Sequence, residues 1–361
     1  MPDARRSSQP SRRRFLATGT TAVAALAAGT TRAAAGGERS ALGVVAFSCG
    51  IRRGQELRRD PASDLFEPLR FLRHCRGLGF GGAQLTLGVL DKDRAKALRE
   101  AAEQDGMFLD GIVNPPRDEG DVARFESEVR TAAEVGALAV RTVVMPGRRY
   151  EQFKSLQEFR DAAAKAERML RLAKPVVERH KVRLAVENHK DQRLDERLAL
   201  YKRLDSEYIG ACVDTGNNLA LMEDPYAAIE ALAPFAFTVH LKDQAVRENE
   251  DGFLLGEIPL GEGFFDLPRM VRILRKAKPK LRFNLELITR DALRVPCLSD
   301  GFWVTMPTAP ATDLARTLSL VRANPAKALQ KVTALDPAKQ VQLEDDNLAR
   351  SLAYARERLE F

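Results

Sequence analysis

The stretch V-R-L-A-V-E-N-H, residues 182–189, decides the fold. Val182, Leu184 and Val186 alternate with Arg183, Ala185 and Glu187, the period of a strand whose two faces meet different surroundings. The apolar face asks for a helix layer, and the other face ends in a carboxylate at the strand's C-terminal tip. Three later stretches repeat the arrangement: I-G-A-C-V-D (209–214), A-F-T-V-H (236–240) and L-R-F-N-L-E (281–286). Each closes on a metal-capable side chain on its less apolar face: Asp214, His240 and Glu286. Glu187 and Asp214 are 27 residues apart, and Asp214 and His240 are 26 apart, each interval one strand-plus-helix unit. The 46 residues from His240 to Glu286 hold one such unit plus a polar loop over 244–263.

Upstream the same alternation continues. Strands are expected at 42–48, 83–87, 107–113 and 138–145, the last stopped by Pro146-Gly147. Helices are expected at 63–76, 91–104 with Asp91 as cap and Gly106 beyond, 121–135 before Gly136, and 155–179. Between the later strands the pattern gives helices at 195–204, at 225–232 with Asp224 as cap and Pro225 in the first turn, and at 267–276. Eight strands alternating with helices describe a (β/α)8 TIM barrel, whose active groups gather at the C-terminal strand ends. An open doubly wound sheet would more often carry a Gly-rich phosphate turn after strand one. That position here reads S-C-G-I-R-R-G, without the G-x-G-x-x-G pattern.

The expected organisation is a leader at 1–35, the barrel at 36–308 and C-terminal helices at 309–361. S-R-R-R-F-L (11–16) resembles the twin-arginine export motif, followed by a weakly apolar run at 17–29 and a small-residue cleavage site at Ala33-Ala34-Ala35. The run is too short to span a bilayer comfortably, so no stable membrane insertion is expected after cleavage, and the mature protein is expected in the periplasm or otherwise exported. The C-terminal helices, 309–323 and 336–359 with Asp336 as cap, are read as packing on the barrel or serving a contact in a homo-oligomer. Of the 57 basic and 50 acidic residues, the leader holds six arginines and Asp3, which leaves 51 against 49 for the rest. That balance offers no basic face to a nucleic acid. Cys49, Cys75, Cys212 and Cys297 are far apart and form no C-x-x-C pair, so spacing assigns no bridge, and Cys212 reads as a small buried apolar residue inside strand six.

Alone, each of Glu187, Asp214, His240 and Glu286 is more often a cap, a surface partner or a structural group. Four matching in parity and position read as ligands of one divalent ion, Mn2+ first, with Mg2+, Co2+ or Zn2+ as alternatives. Three carboxylates against a dication leave the site near −1, a charge that Lys242, two residues past His240 on the same face, offsets.

V-E-N-H (186–189), V-D-T-G-N (213–217), H-L-K-D (240–243), G-E-G-x-x-D (261–266) and L-E-L (285–287) together resemble the xylose isomerase-like TIM-barrel superfamily, in its sugar isomerase and epimerase branch. The resemblance implies that Glu187, Asp214, His240 and Glu286 hold the metal and that Glu187 and Glu286 also handle protons. It further implies isomerisation or epimerisation of a sugar through an enediolate that the metal stabilises. Many relatives carry His where this chain has Asn217, which can hold a hydroxyl but cannot titrate. Asn217, Lys242 and His189 are therefore expected at the substrate, with an orienting role open for His189.

Endonucleases that share this barrel use a histidine-rich multi-zinc site. This chain has only His74, His180, His189 and His240, which argues against DNA repair. Glu248, Glu250, Asp251, Glu257 and Glu262 in the expected loop after strand seven would repel a phosphate, so a non-phosphorylated sugar or keto-sugar is the expected partner. Trp303 is read as a core anchor rather than a sugar platform, and Arg52, Arg53, Arg148 and Arg149 as solvated loop charges. Beside the isomerase or epimerase stand a lyase or hydratase acting on a 3-keto-glycoside through the same metal, and a barrel that binds metal and sugar without turnover.

Overall fold

In the computed structural model, which describes residues 40–145 and 147–361, eight parallel strands close a barrel. They are β1 (Gly43–Val45), β2 (Gly82–Thr86), β3 (Phe108–Ile112), β4 (Val140–Thr142), β5 (Leu184–Glu187), β6 (Ile209–Asp214) and β7 (Ala236–Leu241), with β10 (Phe283–Leu285) as the eighth. Neighbours follow chain order around the ring, and β10 pairs with β1 to close it. The (β/α)8 reading is borne out. The twin-arginine leader and Pro146 lie outside the described residues.

Each strand sorts its side chains as the period of two requires. Leu184, Val186, Val213, Val239 and Leu285 are fully buried against the helices in the main apolar cluster. The other parity points into the barrel, where Ala139, Ala185 and Cys212 form a small cluster below the polar tips. Register brings those tips level: Asp214 sits opposite His240, and His240 opposite Asn284, one pleat below Glu286. The expected caps Asp91, Asp224 and Asp336 are made, and Ser155 adds another, each accepting the backbone N–H three residues on, at 2.9–3.2 Å.

Three expectations fail. The loop after strand one is a helix, Gly50–Arg59, that carries Arg52 and Arg53. Its first amides, those of Ile51 and Arg52, donate at 2.8 and 2.9 Å to Glu344 of the C-terminal helix Pro337–Arg358, a carboxylate placed where the helix dipole favours it. The turn glycines Gly50 and Gly54 hid this helix. Second, the polar loop after strand seven is a hairpin of β8 (Asp243–Asn249) and β9 (Gly252–Ile258), with β11 (Leu293–Val295) added antiparallel to β9. Alternation such as Phe253 and Leu255 against Leu254 and Gly256 marks a strand that the acidic residues obscured. Third, Arg149 is buried. Its guanidinium donates to Glu196 at 2.6 Å and to the Thr305 carbonyl at 2.6 Å, and lies 3.5 Å above the Phe159 ring.

The second helix of the C-terminal extension packs on the barrel: Leu348, Leu352, Ala355 and Leu359 join the main cluster. Trp303 donates from Nε1 to the Cys297 carbonyl at 2.8 Å and stacks edge-on against Phe302 in a second apolar cluster, an anchor as expected. All four cysteines are buried and free. No described helix is long and apolar enough to cross a membrane.

Candidate metal centre

At the C-terminal ends of β5, β6, β7 and β10, Glu187, Asp214, His240 and Glu286 each bring one ligand-capable atom to within 4.8 Å of the other three. All four are at most 3 % exposed. His240 Nδ1 stands 3.2 Å from Glu286 Oε2, 3.5 Å from Glu187 Oε2 and 4.0 Å from Asp214 Oδ2. Neither His240 Nδ1 nor Asp214 Oδ2 has a hydrogen-bond partner. Buried polar atoms without a hydrogen bond are costly, and these two converge on one point. Three carboxylates and one imidazole at this separation fit a divalent ion that prefers oxygen with some nitrogen.

The imidazole is fixed from behind. Its Nε2 lies 2.6 Å from Gln84 Oε1 on β2, an oxygen that accepts from a ring N–H, and this leaves Nδ1 turned inward as the atom that can meet an ion once its proton is displaced. One layer down, Asp110 on β3 accepts from Thr238 at 2.6 Å and Asn284 at 2.9 Å. Burial holds the Asp110 carboxyl above its ordinary range.

Two cations balance the carboxylates. Arg141, in the middle of β4, donates from Nε to Glu187 Oε2 at 2.5 Å. Lys242 Nζ lies 2.7 Å from Glu286 Oε2, 3.1 Å from Asp214 Oδ2 and 3.3 Å from Glu257 Oε1. Burial alone would raise the Glu187 carboxyl, but Arg141 and His240 outweigh it and hold it at about 2. Burial likewise opposes ionisation of Glu286, and Lys242 and His240 bring it well below the usual carboxylate range. For Asp214 burial wins over Lys242, and its pKa rises to about 6.

The other expected residues arrive at the same place. Asn217 donates from Nδ2 to Glu187 Oε1 at 3.1 Å, and its backbone N–H reaches Asp214 Oδ1 at 2.8 Å. His189 is half-buried beside Glu187, with Nδ1 enclosed and unpartnered, and burial lowers its pKa. Cys212 is more than filler, because its Sγ lies within 4.8 Å of ligand atoms of Glu187 and His240.

Sequence reasoning missed Gln84, Asp110, Arg141, Lys190 and Glu257. A charge inside an apolar strand marked Arg141 (V-R-T) and Glu257 (L-L-G-E-I), whereas Lys190 carried no local signal. The acids expected in a loop after strand seven also differ from their expected part. Glu248 pairs with Arg322 at 2.7 Å, Asp251 and Glu250 share Arg294 at 2.8 and 3.5 Å, and Glu262 pairs with Arg350 at 3.0 Å. Glu257 turns inward, to Lys242 and to Arg290 at 2.8 Å. They form no free negative field.

Comparison with known proteins agrees with this architecture. Residues 72–316 match the family described as xylose isomerase-like TIM barrel, and the chain belongs to that family. A xylose isomerase-like TIM barrel protein from Mycobacterium smegmatis, in complex with magnesium, is 19 % identical with a TM-score of 0.52, covering 77 % of this chain and 99 % of that one. A D-psicose 3-epimerase in the presence of D-fructose is 13 % identical with a TM-score of 0.54, covering 82 % of this chain and 93 % of that one. At these identities the likeness is one of fold. In sequence, 109 residues are 30 % identical to 3-oxo-isoapionate decarboxylase of Pectobacterium atrosepticum, a match over 30 % of this chain that spans only 40 % of that enzyme.

Proposed function

We propose that this member of the xylose isomerase-like TIM barrel family is a divalent-metal-dependent enzyme that isomerises or epimerises a non-phosphorylated sugar or keto-sugar by moving a proton beside a carbonyl. The observation that carries this reading is the convergence of Glu187, Asp214, His240 and Glu286, with His240 Nδ1 and Asp214 Oδ2 enclosed and making no hydrogen bond among the described residues. A divalent ion, Mn2+ in the first instance, would supply there a Lewis acid that makes a carbon-bound proton next to a carbonyl removable at neutral pH. Glu286 is the better-placed base, since Oε2 meets Lys242 while Oε1 has no hydrogen bond among the described residues. Glu187 faces it across the site and would return the proton, with Asn217 and His189 holding substrate hydroxyls. The cations at the ends of β7 and β10, Lys242 and Arg290, are already bonded to Glu257, which leaves no free pair for a phosphate dianion.

One observation favours a second reading. Both oxygens of Glu187 are engaged, Oε2 by Arg141 and Oε1 by Asn217, so of the two carboxylates assigned to the proton only Glu286 keeps an oxygen free of hydrogen bonds among the described residues. One base is sufficient for elimination, in which the abstracted proton is followed by loss of a group from the next carbon, as in a lyase or hydratase acting on a 3-keto-glycoside. The partial relative, a decarboxylase, is also a bond-cleaving enzyme.

Incubating the Mn2+-loaded protein with ketoses and 3-keto-glycosides in deuterated water separates the readings by NMR. Epimerisation exchanges a carbon-bound hydrogen without cleavage, and elimination releases an aglycone or water. Neither event across the panel would leave a binding barrel and overturn the proposal. Glu286→Gln is expected to abolish turnover in both cases, and Glu187→Gln only in the first. Export by the twin-arginine route is part of the same proposal, resting on S-R-R-R-F-L. Replacing Arg12 and Arg13 by Lys is expected to retain the protein in the cytoplasm on fractionation.

A further inference from the structure

Lys190 lies within the charge field of the metal ligands but forms an ion pair with none of them. It lies three residues beyond Glu187, with a left-handed backbone at φ +65° that side-chain-bearing residues rarely adopt. It is 4 % exposed, and its Nζ hydrogen-bonds only the Asn217 amide oxygen. Arg141, Arg149, Arg197 and Lys242, the other buried cations among the described residues, each meet a carboxylate. No carboxylate oxygen of the described residues is paired with Lys190. An ammonium taken out of water without a counter-charge is unfavourable, and burial, with Lys242 nearby, lowers its pKa to about 8.

The charge of the whole site points the same way. Four carboxylates (Glu187, Asp214, Glu257, Glu286) face four cations, namely Arg141, Lys190, Lys242 and, at the rim, Arg290. A divalent ion bound among them leaves an excess of two positive charges, and one even if Asp110 in the layer below is ionised. An enclosed site with that excess favours an anionic guest over a neutral one. Asn217 bridges Lys190 Nζ to Glu187 Oε1, so an anion at Lys190 would lie beside the metal ligands rather than at a remote rim.

Resting on the proposed metal-dependent keto-sugar chemistry, we infer that Lys190 receives a carboxylate of the substrate, which makes the substrate a keto-sugar acid. A single ammonium on a neutral amide suits a monoanion, and the neighbouring Lys242 and Arg290 are occupied by Glu257. Phosphate is therefore the less suited anion.

The probes are D-fructose, D-fructuronate and D-fructose 6-phosphate, which differ only at the sixth carbon. Calorimetric titration of the Mn2+-loaded full chain with each reads the preference without turnover. The expected result is D-fructuronate binding about tenfold or more tighter than D-fructose. Lys190→Met is expected to erase that preference while Mn2+ binding and the thermal transition persist, and Lys190→Arg to keep most of it. Equal binding of D-fructose and D-fructuronate by the wild type, or a preference surviving in Lys190→Met, overturns the assignment and leaves the metal-dependent sugar chemistry standing. Tighter binding of D-fructose 6-phosphate than of D-fructuronate overturns the carboxylate in favour of phosphate. Binding of none of the three removes the keto-sugar reading, and the carboxylate assignment falls with it.

Discussion

The two halves of the barrel are built from one strand-and-helix unit, yet they bring different groups to the site. Strands β5, β6, β7 and β10 end in Glu187, Asp214, His240 and Glu286, the atoms that can hold an ion. Strands β2, β3 and β4 carry Gln84, Asp110 and Arg141, which touch those residues or the layer beneath them. One half would coordinate, while the other fixes a ring and neutralises a carboxylate. A metal site needs both, because ligands without outer partners are neither correctly oriented nor correctly charged.

Substitutions at three positions and one titration test that division. The largest effect is expected in the second half: His240→Ala should weaken Mn2+ binding by more than about a hundredfold, beyond what loss of an outer partner costs. Calorimetry reads this directly, and an unchanged affinity would remove His240 from the site. Next comes Arg141→Met in the first half, which leaves the Glu187 carboxylate buried without its cation. It should destabilise the metal-free protein by about 3 kcal/mol in denaturant unfolding, with much of the loss recovered on adding Mn2+. A loss without such recovery would mean that Arg141 supports the fold rather than the site.

Gln84→Leu should lower Mn2+ affinity by roughly tenfold to a hundredfold while Gln84→Glu, which keeps an acceptor for His240 Nε2, falls less. Equal losses in both would argue against the orienting bond. The smallest effect is the response to pH. An ion must displace any proton on Asp214, whose pKa burial raises to about 6, so affinity should fall by about tenfold between pH 7 and pH 5. His240, raised by Cys212, Glu286 and Glu187 against the effect of burial, adds a loss of the same sign. A flat profile would mean that neither proton competes with the ion.

The division also marks what could be read from the sequence. Glu187, Asp214, His240 and Glu286 each follow an alternating apolar run, so period and position together identified strand, face and tip. Arg141 and Gln84 sit inside short strands, V-R-T and G-A-Q-L-T, where the arginine marks an inward charge without naming its partner and the glutamine looks like any half-buried strand position. Their partners are 46 and 156 residues away, a pairing that exists only once the barrel has closed. Lys190 was harder still, because its turn is defined by a positive φ that a lysine does not advertise. Beyond the barrel, the acids of β8 and β9 read as a repelling loop. In the fold Glu248, Glu262 and Glu257 meet Arg322, Arg350 and Lys242, while Glu250 and Asp251 share Arg294.

Diffraction from Mn2+-loaded crystals, recorded with anomalous scattering, tests the central assignment most directly. A single peak is predicted at ordinary coordination distance from His240 Nδ1 and from one oxygen each of Glu187, Asp214 and Glu286. An anomalous peak elsewhere, or none at saturating Mn2+, would contradict it.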